Sequence, residues 1–451
     1  MRLRAVISTR TRTLIVAILS GFVGRVITAL LPLVVMPAML GHLGPVLFGT
    51  WLTAATLSTM AVFLDFGIGN ATTTRLSEAF GLEDATAARR ILGEAYAALL
   101  AISSGLLLIV ALGGYVLVPL FGLDAVEISQ VAVVSVVLAA LFLSFPGGII
   151  WRLQQARHHF VTAQLTQVTA PLATLGVSLW AIRAGFSPLA VVTVYALTNP
   201  VVLMLWTLGH FATHPDQRPD FRGLRWSSMR SLTGLGGAFF VLSIFTLIGM
   251  NADNVVIAAI AGAEVVAEYG VPAKLGGILM LIVGTVFMPL WPLFGGALAR
   301  QDGAWLASTT RRMSLGGAAV VLAVGLGMTL FAVPLMEAWM HRAFAGQQMI
   351  LLGWTAAATV IAVTAPYNMV LNASGMVRQQ ILPWVAFVVI TIGAKYYFLS
   401  ADSAWLAPWI TAIVYAATVL PVMTVLAMRR LRQVTAPASP TADPVPDIER
   451  E

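Results

Sequence analysis

A succession of apolar runs, each long enough to cross a membrane, leaves this chain few ways to fold. A spanning helix takes roughly 20 apolar residues. Twelve such runs can be placed, at 14–40, 46–69, 91–118, 128–150, 161–182, 187–209, 231–260, 266–298, 313–336, 348–371, 380–399 and 404–428. Only 10% of the 451 residues are charged and 59% are hydrophobic, whereas soluble domains are about 25% charged and 45–50% apolar. The reading is a polytopic, all-α membrane protein. The N-terminal stretch MRLRAVISTRTRT is basic and has no convincing cleavage site, so the first run is read as a retained helix.

The charges orient those spans. With the N-terminus placed inside, 21 of the 26 Lys and Arg fall on the inner side, in clusters such as Arg75, Arg89 and Arg90, or Arg311 and Arg312. Two, Arg183 and Arg342, fall in outer loops, and three, Arg25, Lys274 and Lys395, fall within spans. The positive-inside rule asks for this asymmetry and puts both termini in the cytoplasm. The net charge of +7 therefore belongs to a surface against the inner leaflet, and a nucleic-acid role is not expected. The tail, APASPTADPVPDIERE, is rich in Pro, Ala and acid and reads as a disordered cytoplasmic segment, residues 433–451.

A repeat divides the spans. GHLGPVLFG (41–49) and GAEVVAEYG (262–270) share a leading Gly and a terminal aromatic-Gly at an offset of 221. Asp84 with Arg89-Arg90 recurs as Asp302 with Arg311-Arg312. Expected from this are an N-terminal six-helix lobe (1–208), a cytoplasmic linker (209–230) and a C-terminal six-helix lobe (231–432) in the same orientation. Two such bundles around a central cavity form a transporter architecture.

Enzyme chemistry finds little footing. There is no cysteine, hence no thiolate or disulfide chemistry. His158 and His159 are adjacent rather than at metal-ligand spacing and read as a solvated basic loop. Every outer loop is too short for a catalytic domain. Asp65-Phe66-Gly67 spells a kinase metal-binding tripeptide, but no Gly-rich or catalytic loop accompanies it. No cofactor and no metal is expected.

Ionisable residues inside spans mark a partner or a function. Arg25 lies about 16 Å along the first helix, preceded by Gly21 and Gly24. It suits an anionic substrate, a diphosphate above all, or capture by helix carbonyls or a distant acid. Asp253 and Lys274 flank the turn near Gly262 at comparable depth. They either pair with each other or bind a coupling ion and substrate separately, with Glu268 a competing partner for Lys274 and Asn251 on the same face. Lys395, before Tyr396-Tyr397-Phe398, reads as snorkelling to the outer surface. Asp65 falls at the inner end of the second span. It serves either as a helix-end device paired with Arg75 or Arg152, or as an inner-gate contact.

These stretches are similar to a known family. GHLGPVLFGTW (41–51), LDFGIGNA (64–71) and the inner loop with Glu83, Asp84, Arg89 and Arg90 resemble the polysaccharide transporters, as do Asp253, YGVPAKL (269–275) and FMPLWPLFGGALARQD (287–302). These are the O-antigen and capsule lipid-linked oligosaccharide flippases of the multidrug/oligosaccharidyl-lipid/polysaccharide (MOP) superfamily. The resemblance implies two six-helix lobes around a cationic cavity and alternating access in a bacterial inner membrane. It implies an undecaprenyl-diphosphate-linked glycan as cargo, H⁺ or Na⁺ as coupling ion, and membrane lipids and polysaccharide assembly machinery as partners. Arg25 matches the first-helix arginines of related lipid II flippases, which have fourteen spans rather than twelve. The alternative within the superfamily is a multidrug/cation antiporter, for which Asp253 would bind the ion.

Overall fold

A computed structural model describes residues 2–121, 125–222, 224, 226–340 and 347–435. The expected disordered tail lies, from residue 436, outside the described residues. The described residues form helices and connecting turns, with no strand. The helices are α1 (Arg2–Ala61), α2 (Ile68–Gly81), α3 (Ala85–Phe121), α4 (Ala125–Gly147), α5 (Ile149–Ala156), α6 (Phe160–Arg183) and α7 (Pro188–Thr213). The second half has α8 (Trp226–Asn251), α9 (Asp253–Phe287), α10 (Leu290–Ala299), α11 (Gly303–Met340), α12 (Gln347–Ala373), α13 (Arg378–Phe398) and α14 (Ala407–Thr435).

An unbroken 60-residue α1 would run about 90 Å, three times the hydrocarbon thickness. It is divided at Gly44, which leaves helical geometry at φ 71°, ψ 167°. Gly262 divides α9 in the same way at φ 85°, ψ 174°. Only glycine adopts such a conformation at low cost, so these two residues set where one span ends and the next begins. Ten stretches of the described residues are long and apolar enough to cross a membrane. The two halves of α1 bring the crossings to twelve.

The backbone carries the internal repeat in a register of 218 rather than 221. Gly44 and Gly262 are 218 apart, as are Glu83 (φ 59°) and Gln301 (φ 56°), both in the left-handed region. Asp84 Oδ1 accepts from Ala87 N at 2.8 Å, and Asp302 Oδ1 accepts from Trp305 N at 3.3 Å, again at 218. The sequence match aligned Gly41 with Gly262. The residue that makes the turn is Gly44, three positions on. In this register Arg25, Asp253 and Lys274 fall opposite Ser243, Val35 and Thr56, so architecture is duplicated and charge is not.

The spans form two six-helix bundles, and their apolar cores show how the bundles meet. One large core runs through both halves at the end that carries the basic loops, joining Leu76, Leu92 and Ile149 to Phe239, Phe294 and Val419. At the opposite end there are two separate cores. One is built only from first-half residues such as Val35, Trp51 and Val191, the other only from second-half residues such as Ile257, Tyr269 and Ile350. The bundles are closed on each other at the basic end and part toward the other.

Small residues make that closure. An added Cβ at Gly67 (φ 69°) would lie 2.2 Å from the Gly236 carbonyl oxygen on the facing bundle. Polar ties cross the same seam. Thr74 Oγ1 donates to the Asn372 carbonyl at 3.1 Å, Trp291 Nε1 donates to Thr74 Oγ1 at 3.1 Å, and Arg75 Nη2 donates to Ser231 Oγ at 2.8 Å.

Candidate functional site: a cationic cavity and a buried ion pair

Above the closed seam lies a cavity of about 780 Å³. Its walls come from α1 (Gly21, Arg25, Thr28), α2 (Asn70, Thr73), α5 (Trp151, Arg152, Gln155), α6 (Gln164, Gln167), α7 (Asn199) and α9–α10 (Thr285, Trp291). A second pocket of about 290 Å³ shares Thr28 and Asn199 with it and leads away from the basic end to Trp51 and Tyr195.

Arg25 stands in this cavity, half-buried. Its Nη1 donates to the Leu281 carbonyl at 3.5 Å, the outer limit for a hydrogen bond. A guanidinium has five N–H donors. Among the described residues no carboxylate pairs with this one, so most of its donors are left to the cavity. A helix carbonyl holds Arg25 weakly, and its side chain lines the cavity.

Arg152 is the second guanidinium, and the sequence reading misplaced it in an inner loop. The chain breaks at Gly147-Gly148, and the short α5 continues the crossing through Ala156. Arg152 thereby reaches the cavity wall. Nη1 donates to Asn70 Oδ1 at 2.8 Å, and Nη2 lies 3.6 Å from Asp65 Oδ2. The guanidinium sits 4.6 Å from the centre of the Trp151 ring. It also crosses Gly69 so closely that an added Cβ there would meet its Cζ at 2.2 Å.

Asp65 is thus the partner of Arg152, one of the two pairings expected for it. Its other oxygen, Oδ1, accepts from Gly67 N at 2.8 Å. This explains the LDFG stretch. The tripeptide is where the second span breaks, with Phe66 and Gly67 both left-handed. The Asp caps the break and orients an arginine.

The other candidates lie elsewhere. Lys274 is exposed on α9 and lines neither pocket. Asn251 is exposed and turns its amide back onto the Leu247 carbonyl at 2.9 Å. The Glu268 side chain lies outside the described residues.

Asp253 pairs not with Lys274 but with Lys395. It accepts from Lys395 Nζ on Oδ1 and from the Tyr269 hydroxyl on Oδ2. Lys395 is fully buried, and the Asp253 side chain is 8% exposed. Lys395 also donates to Thr411 Oγ1 at 2.8 Å. The snorkelling expectation for Lys395 is overturned: its side chain points into the second bundle rather than to the surface. The reason for the exchange is depth. Tyr269 lies seven residues past Gly262 and Asp253 nine before it, so they meet, whereas Lys274 sits five residues, about 7.5 Å, further along the helix. Nothing in the local sequence revealed the Asp253–Lys395 pair, which joins residues 142 apart.

Comparisons with known proteins agree with this architecture. The family model described as polysaccharide biosynthesis protein matches residues 16–297. No protein of curated function matches the sequence. Among solved structures, the chain is similar to an outward-facing multidrug resistance MATE family transporter of the MOP superfamily, with TM-score 0.74, 15% identity, and 94% of this chain and 96% of that chain covered. It is similar to a Vibrio cholerae MATE transporter at TM-score 0.77 and 15% identity, covering 94% and 98%. A MOP superfamily transporter from Pyrococcus furiosus, described as having a binding pocket of reverse polarity, superposes at TM-score 0.73 and 14% identity, covering 94% and 96%.

Proposed function

The chain belongs to the polysaccharide biosynthesis protein family, and from that premise we propose that it carries a lipid-linked oligosaccharide across the bacterial inner membrane. The cargo is a glycan on undecaprenyl diphosphate, moved by alternating access of the two bundles. Both termini are cytoplasmic, so the basic end faces the cell interior and the cleft opens outward.

The observation that carries this reading is the cavity wall. Arg25 and Arg152 stand among Asn70, Gln155, Gln164, Gln167 and Asn199. Guanidinium groups bind phosphate oxygens in a bidentate fork, and neutral amides and hydroxyls suit sugar hydroxyls. A cationic drug would meet two like charges and one acid, and that acid, Asp65, is already engaged by Arg152. Asp65 also gives the site a way to release its ligand. An arriving diphosphate competes with Asp65 for Arg152, and Asp65 sits two residues from Gly67, where the bundles touch. The Asp253–Lys395–Tyr269 group, in the second bundle, is the place for H⁺ coupling. Its carboxylate oxygens accept from Tyr269 and Lys395.

The test is restoration of surface glycan in a deletion strain carrying wild type, Arg25→Ala, Arg25→Lys or Arg152→Lys at matched expression. Wild type restores the glycan, Arg25→Ala fails, and both lysine variants restore it only weakly, because an ammonium cannot fork. Intact surface glycan in the deletion strain, with new sensitivity to cationic drugs, would sink this reading in favour of antiport.

A further inference from the structure

Beside the seam that closes the bundles lies a crevice built from both. Its volume is about 460 Å³, and its walls include Arg75 and Glu78 of α2, Arg90 and Glu94 of α3, and Ser228 and Ser231 of α8. The first two helices belong to the first bundle and α8 to the second. The crevice stands at the basic end and shares no residue with the central cavity or with the Asp253–Lys395 pair.

Glu94 is only 4% exposed. Its side chain lies within reach of the Ser228 hydroxyl across the seam, but Oε1 is buried with no hydrogen-bond partner among the described residues. Among those residues no Lys, Arg or His nitrogen comes within 4 Å of its carboxyl group. The charges around it are engaged elsewhere or stand off. On α2, Arg75 donates to Ser231 Oγ at 2.8 Å and faces Glu78 at 4.0 Å, and Glu78 is more than half exposed. On α3, Asp84 Oδ1 accepts from Ala87 N at 2.8 Å, and Arg90 acts on Glu94 only from a distance, with its own Nε buried and unpartnered. From α8 the crevice receives hydroxyls and a leucine, and no charge. The linker packs on the neighbouring turn of α3. Asp220 N donates to the Arg89 carbonyl at 2.9 Å, and Arg89 Nε donates to the Arg218 carbonyl at 3.0 Å.

A carboxylate with neither a paired charge nor a full set of donors is costly to bury, and a buried acid relieves that cost by taking up a proton. A metal cation would meet Arg75 and Arg90 over the same crevice and be repelled. The ligand that fits is the proton. We propose that Glu94 is a proton-binding site of the bundle seam, holding a proton while the bundles are closed at the basic end and releasing it to water on that side when α8 parts from α3. With the crevice open, water reaches the carboxyl group and solvates its charge. Closing it again requires the proton back. Acid on the basic side therefore favours the closed seam, and alkali the open one. The site rests neither on the cargo proposed above nor on the Asp253 group.

The test is double electron–electron resonance on the full chain in nanodiscs. Spin labels go on Ala212→Cys in α7 and Ala304→Cys in α11, exposed positions at the basic ends of opposite bundles. No native cysteine interferes. From mildly acidic to mildly alkaline solution, wild type moves from a short, closed distance to a longer one. The population ratio changes by up to about tenfold per pH unit, the limit for one proton. Glu94→Gln keeps the contact with Ser228 and stays closed at every pH. Glu94→Met does so without that contact, which leaves a second reading if either variant folds poorly. Glu78→Gln responds as wild type does, and so does Asp253→Leu with Lys395→Met. An infrared carboxylic-acid C=O band of the closed wild type is missing in Glu94→Gln. Distances in wild type that ignore pH overturn the site, and so does a pH response that persists in both Glu94 variants. An infrared band unchanged in Glu94→Gln overturns the protonation. Closure driven by Na⁺ at fixed pH overturns the choice of ligand.

Discussion

At the scale of single residues, the second bundle holds its charges by mutual satisfaction. Lys395 is buried against Asp253, and Asp253 is engaged on both oxygens. Breaking a buried pair leaves an uncompensated charge and costs about 3–5 kcal/mol. Lys395→Met alone therefore lowers the melting temperature sharply in detergent, whereas Asp253→Leu with Lys395→Met returns most of the loss. If the pair also couples transport to protons, the double variant is stable and inactive. A stable double variant with full transport would assign the pair to architecture alone. Arg25 was visible in the sequence because a lone arginine in an apolar run is costly to bury without a partner or a ligand. Arg152 was visible only as one of two partners for Asp65, and Lys395 only as a surface-seeking cation. Their roles depend on helical phase and on a broken span, and neither shows in the residues beside them.

At the scale of elements, the broken second span links cavity to gate. Asp65 caps the break, Arg152 pairs with Asp65, and Gly67 lies against Gly236 of the other bundle. Gly67→Ala must adopt a left-handed backbone, at about 1–2 kcal/mol, and must push the bundles apart. The absence of native cysteines makes this measurable. An added Cβ on Gly295 would lie 2.6 Å from Ser77 Cβ across the seam, so relaxation of about one ångström reaches disulfide geometry. Ser77→Cys with Gly295→Cys oxidises readily and stops transport until reduced. Adding Gly67→Ala lowers the cross-linking yield. An unchanged yield would mean that Gly67 does not hold the gate.

At the scale of the whole molecule, one shared core at the basic end and two separate cores at the other describe a cleft open on one side. A single cysteine at Asn199, where the two pockets meet, reacts with a membrane-impermeant thiol reagent added to the periplasmic side. One placed by Ser77→Cys in the closed seam does not. The reverse pattern would invert the orientation argued from the basic loops.

Composition and order along the chain were enough to fix the number of crossings and the repeat. Twelve apolar runs require twelve crossings, because a backbone in hydrocarbon must satisfy its hydrogen bonds within helices. The repeat was legible because each half needs the same turns, though its register slipped by three until the left-handed glycines were located. The charge asymmetry gave an orientation. Which side chains meet was settled only in three dimensions. Asp253 met Lys395 and Tyr269 instead of Lys274, and Arg152 joined Arg25 in one cavity. The physical reason is that an apolar helix in a membrane has no strong hydrophobic face to fix its rotation. Its azimuth is set by small-residue packing against neighbours and by buried polar pairs, and these contacts join residues far apart in the chain.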